Sequence, residues 1–270
     1  MHGTGNDFVL LDLRGNAAVP NVDALRLLAD RHRGIGCDQV LGIIDSVRSD
    51  CIAGYRIWNA DGSIAQQCGN GARCVAAWLS QRDALAATRF SLDSPAGVIA
   101  VELFDDDSIA VEIGVPDFVP SRIPLRGFDE SARYALDLDG DAVEFGAVSM
   151  GNPHALIKID DIRAAPAARI GAALQSHAAF PEQVNVGFAQ ILAPDAIHLR
   201  VFERGVGETL ACGSGACAAV AIGVRQGLIG RNVQVDLPGG ILTVNWPADD
   251  APIRLRGPAT FVFDGDWLHD

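Results

Sequence analysis

Two segments of the chain are apolar on almost every side when wound as a helix. They span residues 71–79 and 215–224, and each follows a turn rich in cysteine and glycine. A helix without a polar face must be surrounded by protein, so both segments are predicted to be buried central helices. Gly227 is a typical residue at which the second helix ends.

Two other segments have the pattern of amphipathic helices. In residues 22–33, Leu25, Leu28 and Ala29 fall on one face, and Asn21 is placed to cap the first turn. Residues 162–176 have a similar pattern. Each is predicted to be one continuous helix that buries a single face.

The remaining apolar segments are short, and several alternate with polar residues or are rich in valine and isoleucine, as half-buried strands are. The predicted strands are residues 8–11, 52–58, 98–103, 109–113, 155–159, 197–202, 233–237, 241–246, 253–255 and 260–263. Residues 105–107 and 238–240 are predicted hairpin turns. The last strand is expected to return to the sheet of the first half.

These elements predict an α/β fold (α+β mixed) of two similar domains. Each domain is pictured as a curved, mixed, mostly antiparallel sheet around one buried central helix. The first domain is predicted over residues 1–114, completed by 258–270, and the second over 115–257. Three prolines interrupt the pattern in residues 115–124, which are the predicted linker.

The turns ahead of the two buried helices have matching sequences. The first reads Cys-Gly-Asn-Gly-Ala-Arg-Cys over residues 68–74, and the second reads Cys-Gly-Ser-Gly-Ala-Cys over 212–217. Polar residues recur in the same order before each cysteine, pairing Asn6 with Asn152, Gln39 with Asn185, and Asn59 with Glu203. Matches in one order favour two copies of one fold.

The composition narrows the possible partners. The formal net charge is −13 over 270 residues. An acidic chain is a poor partner for nucleic acid or an anionic membrane, since both attract basic surfaces. The sequence has neither a long apolar run nor a secretory leader, so a cytoplasmic protein without a membrane span is expected.

The six cysteines are expected to be reduced thiols, because a large chain without an export signal seldom carries disulfides. They are Cys37, Cys51, Cys68, Cys74, Cys212 and Cys217. Within each turn the two cysteines point to different sides of a helix, which disfavours zinc. Residues 34–39 lack the register of a dinucleotide-binding or phosphate-binding loop. Neither a metal nor a cofactor is therefore expected.

Cys68 and Cys212 stand immediately before their helices. A helix N-terminus has unpaired N–H groups and a partial positive charge, so it attracts carboxylates and is expected to lower the pKa of an adjacent thiol. Two such ends could place one sulfur on either side of a carbon. That arrangement suits a racemase or epimerase, in which one thiolate removes the α-proton and the other thiol returns a proton to the opposite face. The alternative is that both are small buried hydrophobic residues.

Cys74 and Cys217 lie inside the apolar helices and are interpreted as core packing. Cys37 and Cys51 have no predicted partner and are interpreted as filler. His154 is either a core histidine or a group that tunes thiol ionisation.

The remaining polar candidates also have two interpretations. Asn59, Asn152 and Asn185 are either turn residues or amides that bind a zwitterionic amino acid. Glu203 and Arg204 are either a surface pair or the groups that bind an ammonium and a carboxylate.

Six motifs distributed over the whole chain are similar to those of the diaminopimelate epimerase family. They are residues 2–8 (His-Gly-Thr-Gly-Asn-Asp-Phe), 59–62 (Asn-Ala-Asp-Gly), 68–74, 151–154 (Gly-Asn-Pro-His), 203–205 (Glu-Arg-Gly) and 211–217. The chain departs from the family at its start, where Met1 adjoins the first motif and the first strand is expected to be weakened. Thr4 also stands where an apolar residue is usual.

The resemblance implies two similar domains with a cleft between them and cofactor-independent interconversion of LL- and meso-diaminopimelate, in lysine and peptidoglycan-precursor synthesis. It implies that Cys68 and Cys212 are the acid/base pair and that His154 and Glu203 influence thiol ionisation. It also implies a homodimer. The residues that match the family's substrate-binding positions are Asn6, Gln39, Asn59, Gly69, Asn70, Asn152, Asn185, Glu203, Arg204, Gly213 and Ser214.

Three other functions remain open at this point. A proline or hydroxyproline racemase would use the same layout on a substrate without a second zwitterionic end. A redox sensor would use the two thiols as a reversible disulfide. A binding module would not need either thiol.

Overall fold

The computed structural model describes residues 1–15, 17–138 and 140–268. The chain divides into two compact units, one of Met1–Glu112 together with the segment from Arg256 onward, and the other of Ile113–Leu255. The predicted boundaries after residues 114 and 257 lie two residues beyond these. Within the described residues, the helices are too short or too polar to span a membrane.

Short strands predominate in both units. The first contains β1 (His2–Gly3), β2 (Asn6–Asp12), α1 (Val22–Ala29), β3 (Gln39–Ile44), β4 (Ala53–Asn59), β5 (Ile64–Ala65), α2 (Gly69–Arg82), β6 (Arg89–Ser94), β7 (Gly97–Leu103) and β8 (Ile109–Gly114). The second contains β9 (Tyr134–Leu138), β10 (Asp141–Ser149), β11 (Pro153–Lys158), α3 (Ala167–Gln175), β12 (Asn185–Ala193), β13 (Ala196–Glu203), β14 (Gly207–Thr209), α4 (Gly213–Arg225), β15 (Asn232–Leu237), β16 (Gly240–Asn245) and β17 (Ile253–Gly257). The described residues also form two 3₁₀ turns, Pro120–Arg122 and Ile162–Ala164, and β8 and β17 each extend two residues across a boundary between the units.

The two units pair their strands in the same order. In the first, β1 is antiparallel to β2, β2 is parallel to β3, β3 is antiparallel to β4, and β4 is parallel to β6. In the second, β10, β11, β12, β13 and β15 repeat that series. The fold is therefore a mixed α/β fold of two similar domains, as predicted.

The central helices are longer than predicted. Each begins two residues earlier, at Gly69 and Gly213, so that Cys68 and Cys212 become the N-cap residues. Nearly all of α4 is buried, and it packs against β10, β11 and β12 of its own unit. Gly227 lies just beyond its C-cap with φ +69°, and the amide of Leu228 bonds the carbonyl of Gly223, which closes the helix as predicted.

The first amphipathic helix ends earlier than predicted. Asn21 caps α1, and Leu25, Leu28 and Ala29 are buried, in agreement with the pattern. The helix stops at Ala29 because the Asp30 carboxylate accepts the amides of His32 and Arg33 and holds a separate turn.

The second amphipathic segment is two elements, and the prediction of one continuous helix was wrong. Pro166 separates the 3₁₀ turn from α3, because the residue before a proline avoids helical geometry.

All predicted strands except the last are present to within two residues. The prediction of a strand at 260–263 was wrong, since only Thr260 makes a bridge, with His2. Both predicted hairpin turns are present, between β7 and β8 and between β15 and β16. The strands that the sequence pattern did not predict include β3, β10 and β12, each of which pairs with two other strands.

Candidate active site

Each of the two turns holds its cysteine in the same way. Cys68 Sγ accepts the amide of Gly71 at 3.4 Å, and Cys212 Sγ accepts the amide of Gly215 at 3.3 Å. Each cysteine is thus the N-cap of its helix, and its sulfur accepts the amide of the third helical residue. Serine or aspartate more often fills this role. Cys212 is 4% exposed, whereas Cys68 is half-buried.

The structure places an amide beside the first thiol. The Cys68 thiol donates to Asn6 Oδ1 at 3.7 Å, and Asn70 Nδ2 donates to the same oxygen at 3.3 Å. Asn6 is brought there by the tight turn between β1 and β2, in which it pairs with Gly3.

Two further predicted residues of the first unit meet across neighbouring strands. Gln39 on β3 lies opposite Asn59 on β4, and Gln39 Nε2 donates to Asn59 Oδ1 at 2.9 Å. The Asn59 amide donates in turn to Ser63 Oγ at 3.0 Å. Both side chains are only partly buried, which leaves their amides close to solvent.

The second thiol is surrounded by a different network. Ser214 Oγ lies 3.6 Å from Cys212 Sγ and 3.1 Å from His154 Nε2. The side chain of Asn152 contacts both: its Oδ1 lies 2.9 Å from His154 Nε2, and its Nδ2 donates to Ser214 Oγ at 3.4 Å. Because the Asn152 oxygen can only accept, the proton of His154 is placed on Nε2.

Burial determines the protonation of this network. Burial of His154 and the positive charge of Arg204 lower the pKa of the imidazole to about 3, so His154 is neutral. Burial and the carboxylate of Glu203 raise the pKa of Cys212 well above its usual value, although Ser214 and the Gly215 amide act in the opposite direction. The expected lowering of the thiol pKa by the helix N-terminus was therefore wrong for Cys212, because desolvation outweighs the helix.

The other predicted residues of the second unit support the loop after β13. Asn185 Nδ2 donates to the carbonyl of Pro153 at 3.0 Å, and its Oδ1 accepts the amide of Arg204 at 2.9 Å. The exposed Arg204 side chain donates to the carbonyl of Glu182. Thr209 donates its hydroxyl to the carboxylate of Glu203.

Strand register agrees with the matched spacing in the sequence. Phe8, two residues after Asn6, pairs with Gln39, and His154, two residues after Asn152, pairs with Asn185. The offsets noted along the chain thus correspond to equivalent positions in two similar sheets.

The cysteines interpreted as packing are buried in the core. Burial raises the pKa of Cys74 to about 12 and that of Cys37 to about 11. Cys217 is fully buried, Cys51 is half-buried, and all six cysteines are free thiols. Over the described ranges, no group of three or more acidic, histidine or cysteine side chains could hold a metal ion.

Arg73 and Asp38 were not among the predicted site residues. Arg73 is fully buried in α2, and Asp38 accepts the amide of Asn6 at 2.9 Å. A charged residue inside an otherwise apolar helix was the available signal for Arg73, since arginine is seldom fully buried without partners. No comparable signal marked Asp38.

Known proteins resemble this chain along nearly its whole length. The model of the family described as diaminopimelate epimerase matches residues 1–119 and 146–262. A diaminopimelate epimerase of Xanthomonas axonopodis pv. citri is 57% identical over 99% of this chain and 94% of its own length. One from Xylella fastidiosa strain M12 is 56% identical, with the same coverage.

Solved structures with low sequence identity share the fold. A probable proline racemase from Agrobacterium radiobacter K84 aligns with a TM-score of 0.68 and 17% identity, covering 97% of this chain and 92% of its own. A hydroxyproline epimerase from Agrobacterium vitis aligns with a TM-score of 0.65 and 18% identity, covering 95% and 87%. The fold is thus common to these enzymes. The family match and the similarity of the relatives show that this chain belongs to the diaminopimelate epimerase family.

Proposed function

We propose that this protein interconverts LL- and meso-diaminopimelate without a cofactor, and that Cys68 and Cys212 exchange the α-proton. One observation supports this most strongly: each unit presents a cysteine as the N-cap of its buried helix, and the sulfur accepts a hydrogen bond from an amide of the first helical turn. The names of the relatives supply the substrate.

The proposed chemistry needs one thiolate and one thiol. The thiolate takes the α-proton, and the electron pair of the broken C–H bond remains on the substrate as a carbanion conjugated with its carboxylate. The second thiol then gives its proton to the opposite face of that carbon and becomes the thiolate. Gly69, Asn70, Gly213 and Ser214 lie in the first turns of α2 and α4, where backbone N–H groups point out of the helix end and can stabilise the developing charge.

In one direction of the reaction, we assign Cys212 as the thiol that starts protonated. Burial and the nearby Glu203 carboxylate hold the pKa of Cys212 high, so it begins as an acid. Cys68, the more exposed of the two sulfurs, is then the base in the direction in which Cys212 donates. In the reverse direction the roles exchange.

The remaining candidates are proposed to bind the two ends of the zwitterionic substrate. Amides supply both donors and acceptors, while Glu203 suits an ammonium and Arg204 a carboxylate. The proposed binding residues are Asn6, Gln39, Asn59, Asn152, Asn185, Glu203 and Arg204. In this assignment His154 and Glu203 tune the ionisation of Cys212.

We further propose that the protein acts as a cytoplasmic homodimer in lysine and peptidoglycan-precursor synthesis. This proposal rests on the family relationship, and light scattering coupled to size exclusion tests the dimer directly.

The function is tested by α-proton exchange in D₂O under reducing conditions, with LL-diaminopimelate and L-proline as separate substrates. We expect exchange and epimer formation with diaminopimelate only. Cys68→Ala and Cys212→Ala should each abolish epimer formation, while Cys74→Ala, a buried control in helix α2, should retain it. Exchange with proline alone would refute the assignment, and full activity of both alanine variants at positions 68 and 212 would refute the two-thiol chemistry.

A further inference from the structure

Arg73 is a buried cation next to the first cysteine turn. Its side chain is fully buried. The guanidinium donates to Asn70 Oδ1 at 2.8 Å, to the carbonyl of Gly69 at 3.4 Å and, through Nε, to the carbonyl of Pro258 at 3.3 Å. The closest of these contacts is to a side chain of the Cys68 turn.

The guanidinium fixes the orientation of the Asn70 amide. Arginine can only donate, so the oxygen of Asn70 must face it and the nitrogen must face away. That nitrogen donates to Asn6 Oδ1 at 3.3 Å. The oxygen of Asn6 is thereby turned toward the turn that holds Cys68, whose thiol donates to it at 3.7 Å.

The other end of this chain of amides is fixed by an anion. Asn6 Nδ2 donates to the carboxylate of Asp38 at 2.9 Å, and a carboxylate can only accept. Asp38 is held in turn by Arg31, at 2.7 Å. A donor-only group at one end and an acceptor-only group at the other leave one orientation for both amides.

We propose that Arg73 is a positioning residue that acts through Asn70 and Asn6 to hold the Cys68 sulfur in place for proton transfer. This inference rests on the proposed function, because it assigns Arg73 a part in that reaction. Arg73 itself lies behind the turn and does not serve as acid, base or ligand.

The second unit has no arginine at the matching position. There Cys217 follows Cys212 by the same five residues as Arg73 follows Cys68, and it is fully buried. His154 and Asn152 instead contact Ser214, the residue that corresponds to Asn70. Arg73 is therefore expected to serve Cys68 alone.

The inference is tested with Arg73→Met, Arg73→Lys and the packing control Cys74→Ala, each measured per folded enzyme with diaminopimelate. We expect Arg73→Met to lower kcat by about 10–100-fold, since small misplacement of a reacting group has effects of that size. Arg73→Lys, which keeps the charge and one donor for Asn70, should lose less activity. A purely structural residue would change the folded fraction and leave kcat unaltered.

A second measurement follows the amides directly and needs no substrate. In the ¹⁵N-labelled wild-type protein, the side-chain NH₂ groups of Asn6 and Asn70 should exchange with solvent more slowly than that of Asn21, which among the described residues is hydrogen-bonded through its oxygen alone. In Arg73→Met both should exchange faster. Exchange of either group in the wild type at the rate of Asn21, or a wild-type kcat in folded Arg73→Met, would overturn the inference. If Arg73→Met does not fold, the kcat of Arg73→Lys and the wild-type exchange rates decide.

This pairing of readouts separates two kinds of failure. If the protein does not act on diaminopimelate, kcat with that substrate is uninformative while the exchange rates still test the amide chain. If diaminopimelate is the substrate and the exchange rates are fast, only the role of Arg73 fails.

Discussion

Ser214 Oγ lies 3.6 Å from Cys212 Sγ and is at the same time within hydrogen-bond reach of Asn152 and His154. In the first unit Asn70 stands at the position that corresponds to Ser214. There the thiol of Cys68 donates to the side-chain oxygen of Asn6. Two similar helix starts thus give their sulfurs different partners, a hydroxyl that can donate in one unit and an amide oxygen that only accepts in the other.

The carboxylate of Glu203 should make Cys212 a weaker acid. Because its charge raises the pKa of that thiol, Glu203→Gln is expected to lower the pKa and so increase the thiolate fraction at neutral pH. The check is the pH dependence of iodoacetamide labelling, with the Cys212 peptide quantified by mass spectrometry. Glu208→Gln, at an exposed neighbouring residue, should leave the midpoint unchanged. If the pH midpoint of Cys212 labelling is the same in the wild type and both variants, Glu203 does not raise the pKa of this thiol.

His154 should make stability depend on pH between about 3 and 6.5. The folded protein keeps this imidazole neutral, with a pKa of about 3, while the unfolded chain binds a proton near pH 6.5. The unfolded state therefore binds more protons below pH 6.5, and stability falls as the pH falls. Between pH 7.5 and pH 5.0, His154 should lower the free energy of unfolding by about 2 kcal/mol.

Urea unfolding at these two pH values checks the effect of His154. In His154→Gln the free energy of unfolding should differ less between the two pH values than in the wild type, whatever the absolute stability of the variant. His32→Asn, at an exposed histidine, should keep the wild-type difference. An equal pH dependence in His154→Gln and the wild type would contradict the assignment.

Gly215 leaves room for the Cys212 sulfur. A Cβ atom at this position would lie 3.1 Å from both Cys212 Sγ and Val201 Cγ2, which is closer than ordinary contact. Gly215→Ala is expected to displace the sulfur and lower kcat by about tenfold or more. In Gly230→Ala the nearest atom would be 3.4 Å away, so kcat should not change. Steady-state kinetics on both variants make the comparison, and wild-type activity in Gly215→Ala would show that the sulfur position is not critical.

The parts of the fold that the sequence predicted are those with local signals. The absence of a polar face identified α2 and α4 as buried, although each begins two residues before its predicted start. The early end of α1 depends on a side-chain bond from Asp30 that periodicity does not show. Strand β3 reads as a continuous apolar run, which periodicity alone does not distinguish from a buried helix segment.

The site was predictable as a set of residues but not as a network. Matched spacing brought Asn6, Gln39 and Asn59 forward as candidates, and parallel and antiparallel register explains the spacing. Contacts between residues far apart in the chain determine the hydrogen-bond partners of these side chains. They also determine the raised pKa of Cys212. For Arg73 the sequence offered one local signal, a charge inside an apolar helix, but not its hydrogen bond to Pro258 at the other end of the chain.

If two thiols serve opposite faces of one carbon, the α-hydrogen leaves with one thiol and the product receives its hydrogen from the other. LL-diaminopimelate is converted in D₂O, stopped at low conversion, and both epimers are analysed by mass spectrometry. We predict that nearly every molecule of the new meso epimer carries one deuterium at the inverted carbon. The recovered LL-diaminopimelate should remain largely free of deuterium. Equal deuterium in both epimers, or retention of the original hydrogen in the product, would indicate a single exchanging base. Either result would contradict proton exchange by two thiols.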